Sequence, residues 1–162
     1  MLLKGIKVLD MSTLLPGPMC SLFLSDLGAD VIKVESLNGD LMRGFESDAR
    51  QSPYFSALNR NKKSIALNLK TIEGKNIFMK LVKDVDIIIE GFRPNKIDSL
   101  GLGYKNVKKI NPKIIYCSIT GYGQKGDYKD KAGHDLNYSS LSGLLDAISA
   151  KPFVPGVQFA DV

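Results

Sequence analysis

Residues 6–35 have the sequence IKVLDMSTLLPGPMCSLFLSDLGADVIKVE, in which two short β-type runs flank a loop and an apolar helical segment. Residues 6–10 and 30–35 carry the β-branched and aliphatic side chains typical of strands. A helix is predicted over 18–27, because Pro18 suits a first helical turn and Gly28 suits a stop. A strand, helix and strand in this order join parallel strands through a right-handed crossover. The pattern therefore predicts an α/β fold.

The alternation of strands and helices continues along the rest of the chain. Further strands are predicted over 63–69, 86–90 and 113–119, and helices over 71–83, 94–100, 104–110 and 134–147. The polar segment 36–52 shows no periodicity and is predicted to be a long loop. Five strands alternating with helices predict a Rossmann-like, open, mostly parallel sheet with flanking helices.

Length and composition are those of one globular domain. The 162 residues are 44% hydrophobic and 24% charged, a mixture that excludes a disordered or fibrous chain. Cys20 and Cys117 lie far apart in sequence, which supports neither a disulfide framework nor a metal site of paired thiolates. No apolar run approaches the roughly 18 residues of a membrane span. We therefore expect a cytoplasmic protein with no metal site and no membrane partner.

The charge favours an anionic partner. There are 22 Lys and Arg against 17 Asp and Glu, a net charge of +5. These cations are spread along the chain, so nucleic acid is the weaker of the possible partners and is not expected. A tighter cluster, Arg60, Lys62 and Lys63, precedes a predicted strand, and Arg93 follows another. If both sets face one crevice, they would suit phosphate groups, although for Lys62 and Lys63 taken alone a solvated basic turn is the simpler explanation.

The single histidine, His134, lies at a predicted loop-to-helix junction in the sequence AGHDLNY. Histidine is the side chain that most readily gains and loses a proton near neutral pH. Asp135, Asn137 and Tyr138 follow it closely and could orient it. Both a catalytic and a structural role for His134 stay open on this evidence.

Several ordered motifs resemble those of the family III CoA-transferases, also called the carnitine dehydratase/racemase family. The likeness runs essentially from end to end, and AGHDLNY resembles the α-methylacyl-CoA racemase branch in particular. The other motifs that carry it are GIKVLD (5–10), PGP (16–18), DLGADVIKVE (26–35), NKKS (61–64), EGFRP (90–94), LGLGY (100–104), NPKIIY (111–116) and GYGQ (121–124).

The resemblance implies an acyl-CoA thioester as substrate and no permanently bound cofactor, and the phosphates of coenzyme A would account for the positive charge. In the racemase branch a histidine and an aspartate flank the α-carbon of a 2-methylacyl-CoA. Carried over, these two bases are His134 and Asp161, with Asp135, Asn137 and Tyr138 supporting them. The CoA-binding positions implied by the resemblance are Arg60, Lys62, Lys63, Leu67, Lys70, Gly91, Phe92 and Arg93.

The transferase branch gives the same aspartate another role. There, Asp161 would be a nucleophile that forms a mixed anhydride and then an aspartyl-CoA thioester, moving CoA between carboxylic acids. His134 favours the racemase, because a covalent carboxylate shuttle needs no second base. Ser36, where racemases often carry arginine, and the sequence PGVQFAD (155–161) look more like the transferase. Racemisation is the first expectation, transfer the alternative, and a non-catalytic CoA-binding or assembly module a further one.

The resemblance also implies a longer architecture. Family members have a large CoA-binding domain, a small second domain and a return to the first, in an interlocked homodimer. Residues 1–162 would then be the N-terminal part of the large domain, without the small domain and the C-terminal return. We expect a homodimer, or a partner chain that supplies the missing C-terminal part.

Overall fold

The computed structural model describes residues 1–44 and 52–161. Its strands are β1 (Lys7–Asp10), β2 (Asp30–Glu35), β3 (Lys63–Ala66), β4 (Ile87–Glu90) and β5 (Ile115–Ser118). Its helices are α1 (Pro16–Asp26), α2 (Pro53–Asn59), α3 (Ile72–Val82), α4 (Lys96–Ser99), α5 (Tyr104–Ile110), α6 (Asp135–Leu141) and α7 (Leu144–Ile148), with a 3-10 turn at Leu41–Gly44.

The five strands form one parallel sheet in the order β3-β2-β1-β4-β5. Val8 of β1 lies opposite Val31 of β2 on one side and Ile87 of β4 on the other. The chain moves outward from β1 to β3 and then returns to place β4 against β1. The α/β prediction is confirmed, and the reversal of strand order falls between β1 and β4, where open parallel sheets bind their ligands.

Hydrophobic side chains pack on both faces of the sheet. Leu9 and Ile88 belong to one buried cluster with Phe78 and Val82 of α3, whereas Val8 and Ile89 belong to a second cluster on the opposite side. Neighbouring residues of one strand alternate between faces, so a strand covered on both sides is apolar almost throughout. This explains why Val8 and Leu9 stand side by side in β1 and why three isoleucines follow one another in β4.

Two stretches of chain differ from the predicted elements. The prediction of one helix over 134–147 is wrong, because Gly143 adopts a left-handed conformation (φ +79°) that ends α6 and lets α7 begin. Helix α2 was not anticipated; it begins after Ser52, whose side chain accepts a hydrogen bond from the backbone of Phe55. Part of the loop predicted over 36–52 lies outside the described residues.

Candidate functional site

A cavity of about 110 Å³ lies at the carboxyl ends of the strands, next to the β1/β4 switch point. Its walls come from segments that follow β1, β2, β3 and β4, among them Ser12, Ser36, Leu69 and Phe92. Phe92 is a predicted CoA-binding residue, whereas the other three were not foreseen. The sequence could have indicated them only through their position, because each follows a strand within a few residues and so lies at the edge where parallel sheets bind ligands.

The loop after β1 is held very close to its neighbours. A Cβ atom on Gly17 would overlap the side chain of Ser12, and one on Gly91 would lie 3.6 Å from the Ser12 Cβ. Glycine at position 17 therefore allows α1 to begin directly against the loop that lines the cavity. Two segments of the family-like pattern, PGP and EGFRP, thus meet at Ser12.

A buried ion pair fixes one wall of the cavity. Lys33 Nζ lies 2.8 Å from Asp40 Oδ2 and donates to the backbone oxygen of Ser12, also at 2.8 Å. Both charged side chains are 1% exposed. Since an unpaired buried charge is strongly unfavourable, this pair ties β2, the loop after it and the loop after β1 into one arrangement.

Glu35, at the end of β2, anchors the segment that follows it. Its carboxylate accepts two hydrogen bonds from Arg43, at 2.7 and 2.6 Å, and others from the Ser64 hydroxyl and the Asp40 backbone N–H. Burial alone would raise the pKa of Glu35, but these donors outweigh burial and lower it to about 2. Arg43 also lies over the ring of Phe55, at 3.8 Å from its centroid, so its charge is already engaged within the protein.

The predicted CoA-binding cations differ sharply in their surroundings. Lys62 is buried and contacts the Pro18 backbone oxygen (2.8 Å), Asn59 (3.0 Å) and Asp10 (3.4 Å). Burial lowers its pKa to about 8, partly offset by Asp10. Arg60 pairs with Asp26 and Lys63 with Asp30. None of these three lysine and arginine side chains lines the cavity, so the structure does not bring them to the crevice that Phe92 occupies.

The remaining predicted CoA-binding positions surround the ends of β3 and β4. Leu67 is 7% exposed and packs in the core, whereas Lys70 is exposed. Gly91 and Arg93 are exposed on either side of Phe92, and the Arg93 guanidinium has no ion-pair partner among the described residues. The assignment of these positions to CoA binding stays a prediction.

The predicted catalytic pair lies at the beginning of α6. His134 is exposed and immediately precedes the helix, and its backbone N–H donates to the Asn137 side chain at 2.9 Å. Asp135 is buried, and its Oδ1 accepts hydrogen bonds from the backbone N–H groups of Phe159 (2.7 Å), Ala160 (2.6 Å) and Asp161 (3.3 Å). The segment that carries Asp161 is therefore fastened to the start of α6, beside His134.

Electrostatics distinguish the Asp161 carboxyl from an ordinary surface aspartate. Burial raises its pKa and the charge of Asp135 raises it further, while hydrogen bonding and His134 act in the opposite direction. Tyr138 donates its hydroxyl to the Gly133 oxygen at 2.8 Å, and its pKa is raised by burial and by the charge of Asp161. The structure thus places His134, Asp135, Asn137 and Tyr138 at the helix start to which the Asp161 segment is hydrogen-bonded, and their catalytic and supporting roles stay predictions.

An open groove of about 430 Å³ adjoins Tyr138. Tyr122 lies between Tyr128 and Tyr138, with ring centroids 5.7 and 5.1 Å apart respectively. Any side chain larger than hydrogen at Gly121 or Gly133 would overlap or crowd the Tyr138 ring. Tyr122 and Tyr128 were not predicted as site residues, because nothing in the sequence of this glycine-rich loop indicates that the two tyrosines pack together near Tyr138.

Other sites are not evident in residues 1–44 and 52–161. No three or more His, Cys, Asp or Glu side chains are grouped there to hold a metal ion. Cys20 and Cys117 are free thiols, and burial raises the pKa of each. Within the same residues, every helix is too short or too polar to cross a bilayer.

Comparison with known proteins now identifies the class that this fold and site define. The sequence profile described as CoA-transferase family III matches residues 3–162. The chain belongs to the family III CoA-transferases.

Individual relatives extend this result. The chain is 43% identical over 166 residues to a succinyl-CoA:glutarate CoA-transferase of Homo sapiens, covering 99% of the chain and 38% of that protein. It is 38% identical over 164 residues to a formyl-CoA:oxalate CoA-transferase of Streptomyces coelicolor, covering 98% and 40% respectively. The chain thus spans about two fifths of the length of these relatives.

Solved structures agree with the sequence comparison. A CAIB/BAIF family protein from Brucella suis superposes with a TM-score of 0.91 at 40% identity, over 98% of this chain and 44% of that one. A hypothetical protein from Mycobacterium tuberculosis gives a TM-score of 0.89 at 34% identity, over 98% and 46%. The relatives carry the names of CoA-transferases, which supports the transferase alternative better than the racemase expectation.

Proposed function

We propose that this chain supplies the nucleophilic part of an enzyme that transfers CoA between carboxylic acids, with Asp161 as the nucleophile. The observation that carries the proposal is the Asp161 carboxyl, on a segment fastened to the start of α6, with a pKa raised by burial and by Asp135. A carboxylate of raised pKa is a better nucleophile than an ordinary aspartate, provided that it is ionised at the working pH. Family membership supports the assignment.

The proposed reaction proceeds through two covalent species. The Asp161 carboxylate attacks the thioester carbonyl of the donor, and the C–S bond breaks to release CoA thiolate and leave a mixed anhydride. The thiolate attacks the aspartyl carbonyl and displaces the donor carboxylate, which forms an aspartyl-CoA thioester. The acceptor carboxylate and the thiolate repeat these steps in reverse order, and Asp161 is restored as a free carboxylate. No proton is consumed overall.

The substrates that suit this proposal are a short acyl-CoA donor and a short carboxylic acid acceptor. The relatives are named for succinate, glutarate, oxalate and formyl groups, all small acids. CoA would bind at the crevice beside Phe92, where the Arg93 guanidinium, which has no ion-pair partner in residues 1–44 and 52–161, offers a contact for a phosphate. Arg60 and Lys63 do not line this crevice, and each is paired with a carboxylate.

Racemisation of a 2-methylacyl-CoA is the second candidate, because His134 is close enough to Asp161 to lower the pKa of its carboxyl. In that reaction one group removes the α-proton and the other returns a proton to the opposite face. The two reactions differ in what happens in deuterated water. Two-base racemisation incorporates deuterium at the α-carbon, whereas transfer through Asp161 leaves the α-proton in place.

The proposal is tested by comparing Asp161→Asn with Asp146→Asn, a matched change at an exposed aspartate on α7. Acyl-CoA formation from succinyl-CoA and glutarate is measured by mass spectrometry. We expect the Asp161 variant to lose activity by roughly a thousandfold or more, since the nucleophile is removed, and the Asp146 variant to retain it. Full activity of the Asp161 variant would overturn the assignment.

We further propose that the site is completed by another chain segment, from a second copy or from a partner chain. The segment that carries Asp161 exposes the apolar side chains of Val157 (63%) and Phe159 (47%). Apolar side chains grouped beside a reactive carboxyl suit a covered interface better than open solvent. A cytoplasmic location, predicted from the cysteine usage, remains part of this proposal.

A further inference from the structure

The contacts of Asp135 are unusual for a residue adjacent to the proposed site. A single oxygen, Oδ1, accepts hydrogen bonds from three consecutive backbone N–H groups, those of residues 159–161. Asp135 is only 7% exposed, so water competes little for these hydrogen bonds. Hydrogen bonds to an ionised acceptor are also stronger than those between neutral groups.

These bonds connect two distant parts of the chain. Asp135 begins α6, directly after His134, while residues 157–161 contain no regular secondary structure. Phe159 and Ala160 are exposed, so the packing of their side chains does little to hold them. The Asp135 carboxylate is therefore the main described contact that can fix the orientation of this segment.

We infer that Asp135 is a positioning residue, whose buried carboxylate fastens the backbone of 159–161 and so sets where the Asp161 carboxylate meets the thioester carbonyl. The inference rests on the proposed role of Asp161 as nucleophile. A displacement of a reacting group by about an ångström can greatly reduce the reaction rate. Hydrogen bonds that hold the backbone of 159–161 in place should therefore raise the rate at which Asp161 reacts.

Besides holding the backbone of 159–161, Asp135 changes the pKa of Asp161 through its charge. Among the described residues, the ionisable groups that act on the pKa of Asp161 are Asp135 and His134, both at the beginning of α6, and the charge of Asp161 acts in turn on Tyr138. Asp135 repels the ionised form of Asp161 and raises its pKa, and His134 opposes that effect. A neutral side chain at position 135 should therefore lower the pKa of Asp161. The acid limb of the rate profile should then move to lower pH.

Two variants separate position from charge. Asp135→Asn keeps an oxygen acceptor but removes the charge, whereas Asp135→Ala removes both. We expect Asp135→Asn to shift the acid limb of kcat to lower pH, and Asp135→Ala to lower kcat by about 10- to 100-fold with little change in the KM for CoA thioester. Asp146→Asn, an equal change of charge on exposed α7, should leave both quantities unchanged.

Amide hydrogen exchange of residues 159–161 provides a readout that needs no activity. The three N–H groups should exchange slowly in the wild type and in the Asp146 control, and much faster in Asp135→Ala, while the strands stay protected in all. Equal exchange in wild type and Asp135→Ala, or kinetics and pH profiles unchanged by both Asp135 variants, would overturn the inference. Absence of transfer in the wild-type enzyme with its completing segment present would instead overturn the proposed function, and the exchange data would still decide whether Asp135 holds residues 159–161.

Discussion

At the scale of single residues, burial separates side chains that look alike in the sequence. Lys62 and Arg93 both appear there as candidate phosphate ligands. Lys62 is enclosed by α1 and α2 through Pro18 and Asn59, whereas Arg93 is exposed and unpaired among the described residues. Residue type and spacing identify the cations, but only packing of distant elements decides which of them can meet a ligand.

The buried Lys62 should make stability depend on pH. Its pKa is about 8 in the folded protein, below the 10.5 of a free lysine, so the unfolded chain binds more protons between these values. Stability should therefore rise from pH 8 to pH 10, by at most about 3 kcal/mol, as the burial of a charged group is relieved. Urea unfolding across this range measures the effect.

The matched variants for this measurement are Lys62→Met and Lys113→Met, the second at an exposed position. The rise should disappear in the Lys62 variant and persist in the Lys113 variant. A rise of equal size in both variants would show that Lys62 does not titrate as its burial implies.

The sequence predicts which side chains lie close together most readily when they belong to one short motif. His134, Asp135, Asn137 and Tyr138 lie within five positions, so one helix start is enough to bring them together. Asp161 joins them through the hydrogen bonds to Asp135, and no local pattern shows such a contact. Asp161 was identified through the resemblance to a family. Its backbone hydrogen bond to Asp135 is visible only in the structure.

At the scale of elements, the central strands β1, β2 and β4 follow closely from sequence because their apolar residues are covered on both faces, whereas the edge strands β3 and β5 are more exposed. All five predicted strands are present, and their parallel pairing follows from the helical crossovers. Helices were less predictable. The break between α6 and α7 depends on the left-handed conformation of Gly143, and apolar periodicity alone extends across such a break.

The loop after β1 and the start of α1 approach each other closely beside the cavity. Gly17→Ala should destabilise the protein by about 1–3 kcal/mol, because the added methyl group overlaps the buried Ser12 side chain. Thermal unfolding compared with Gly156→Ala, where a Cβ atom meets nothing within 4 Å, measures the difference. Equal melting temperatures for the two variants would contradict the close approach.

At the scale of the whole molecule, the cavity lies at the carboxyl ends of the strands, and most of its lining comes from β2, the loop after it and the loop after β1. The proposed nucleophile is carried separately, by the α6 start and the segment fastened to it. In the proposed reaction, CoA lies along the strand ends and its thioester meets Asp161. The charge of +5 then matches a polyanionic substrate, and the exposed apolar side chains near Asp161 fit a site completed by another segment.

Chemical trapping of Asp161 tests the central claim most directly. The protein is mixed with succinyl-CoA and quenched with hydroxylamine, which converts an aspartyl thioester or anhydride to a hydroxamate, and the peptide containing Asp161 is sequenced by mass spectrometry. We predict a hydroxamate at Asp161 that depends on succinyl-CoA and is absent in Asp161→Asn. Turnover of succinyl-CoA with an unmodified Asp161, and with deuterium entering the α-carbon instead, would contradict the account.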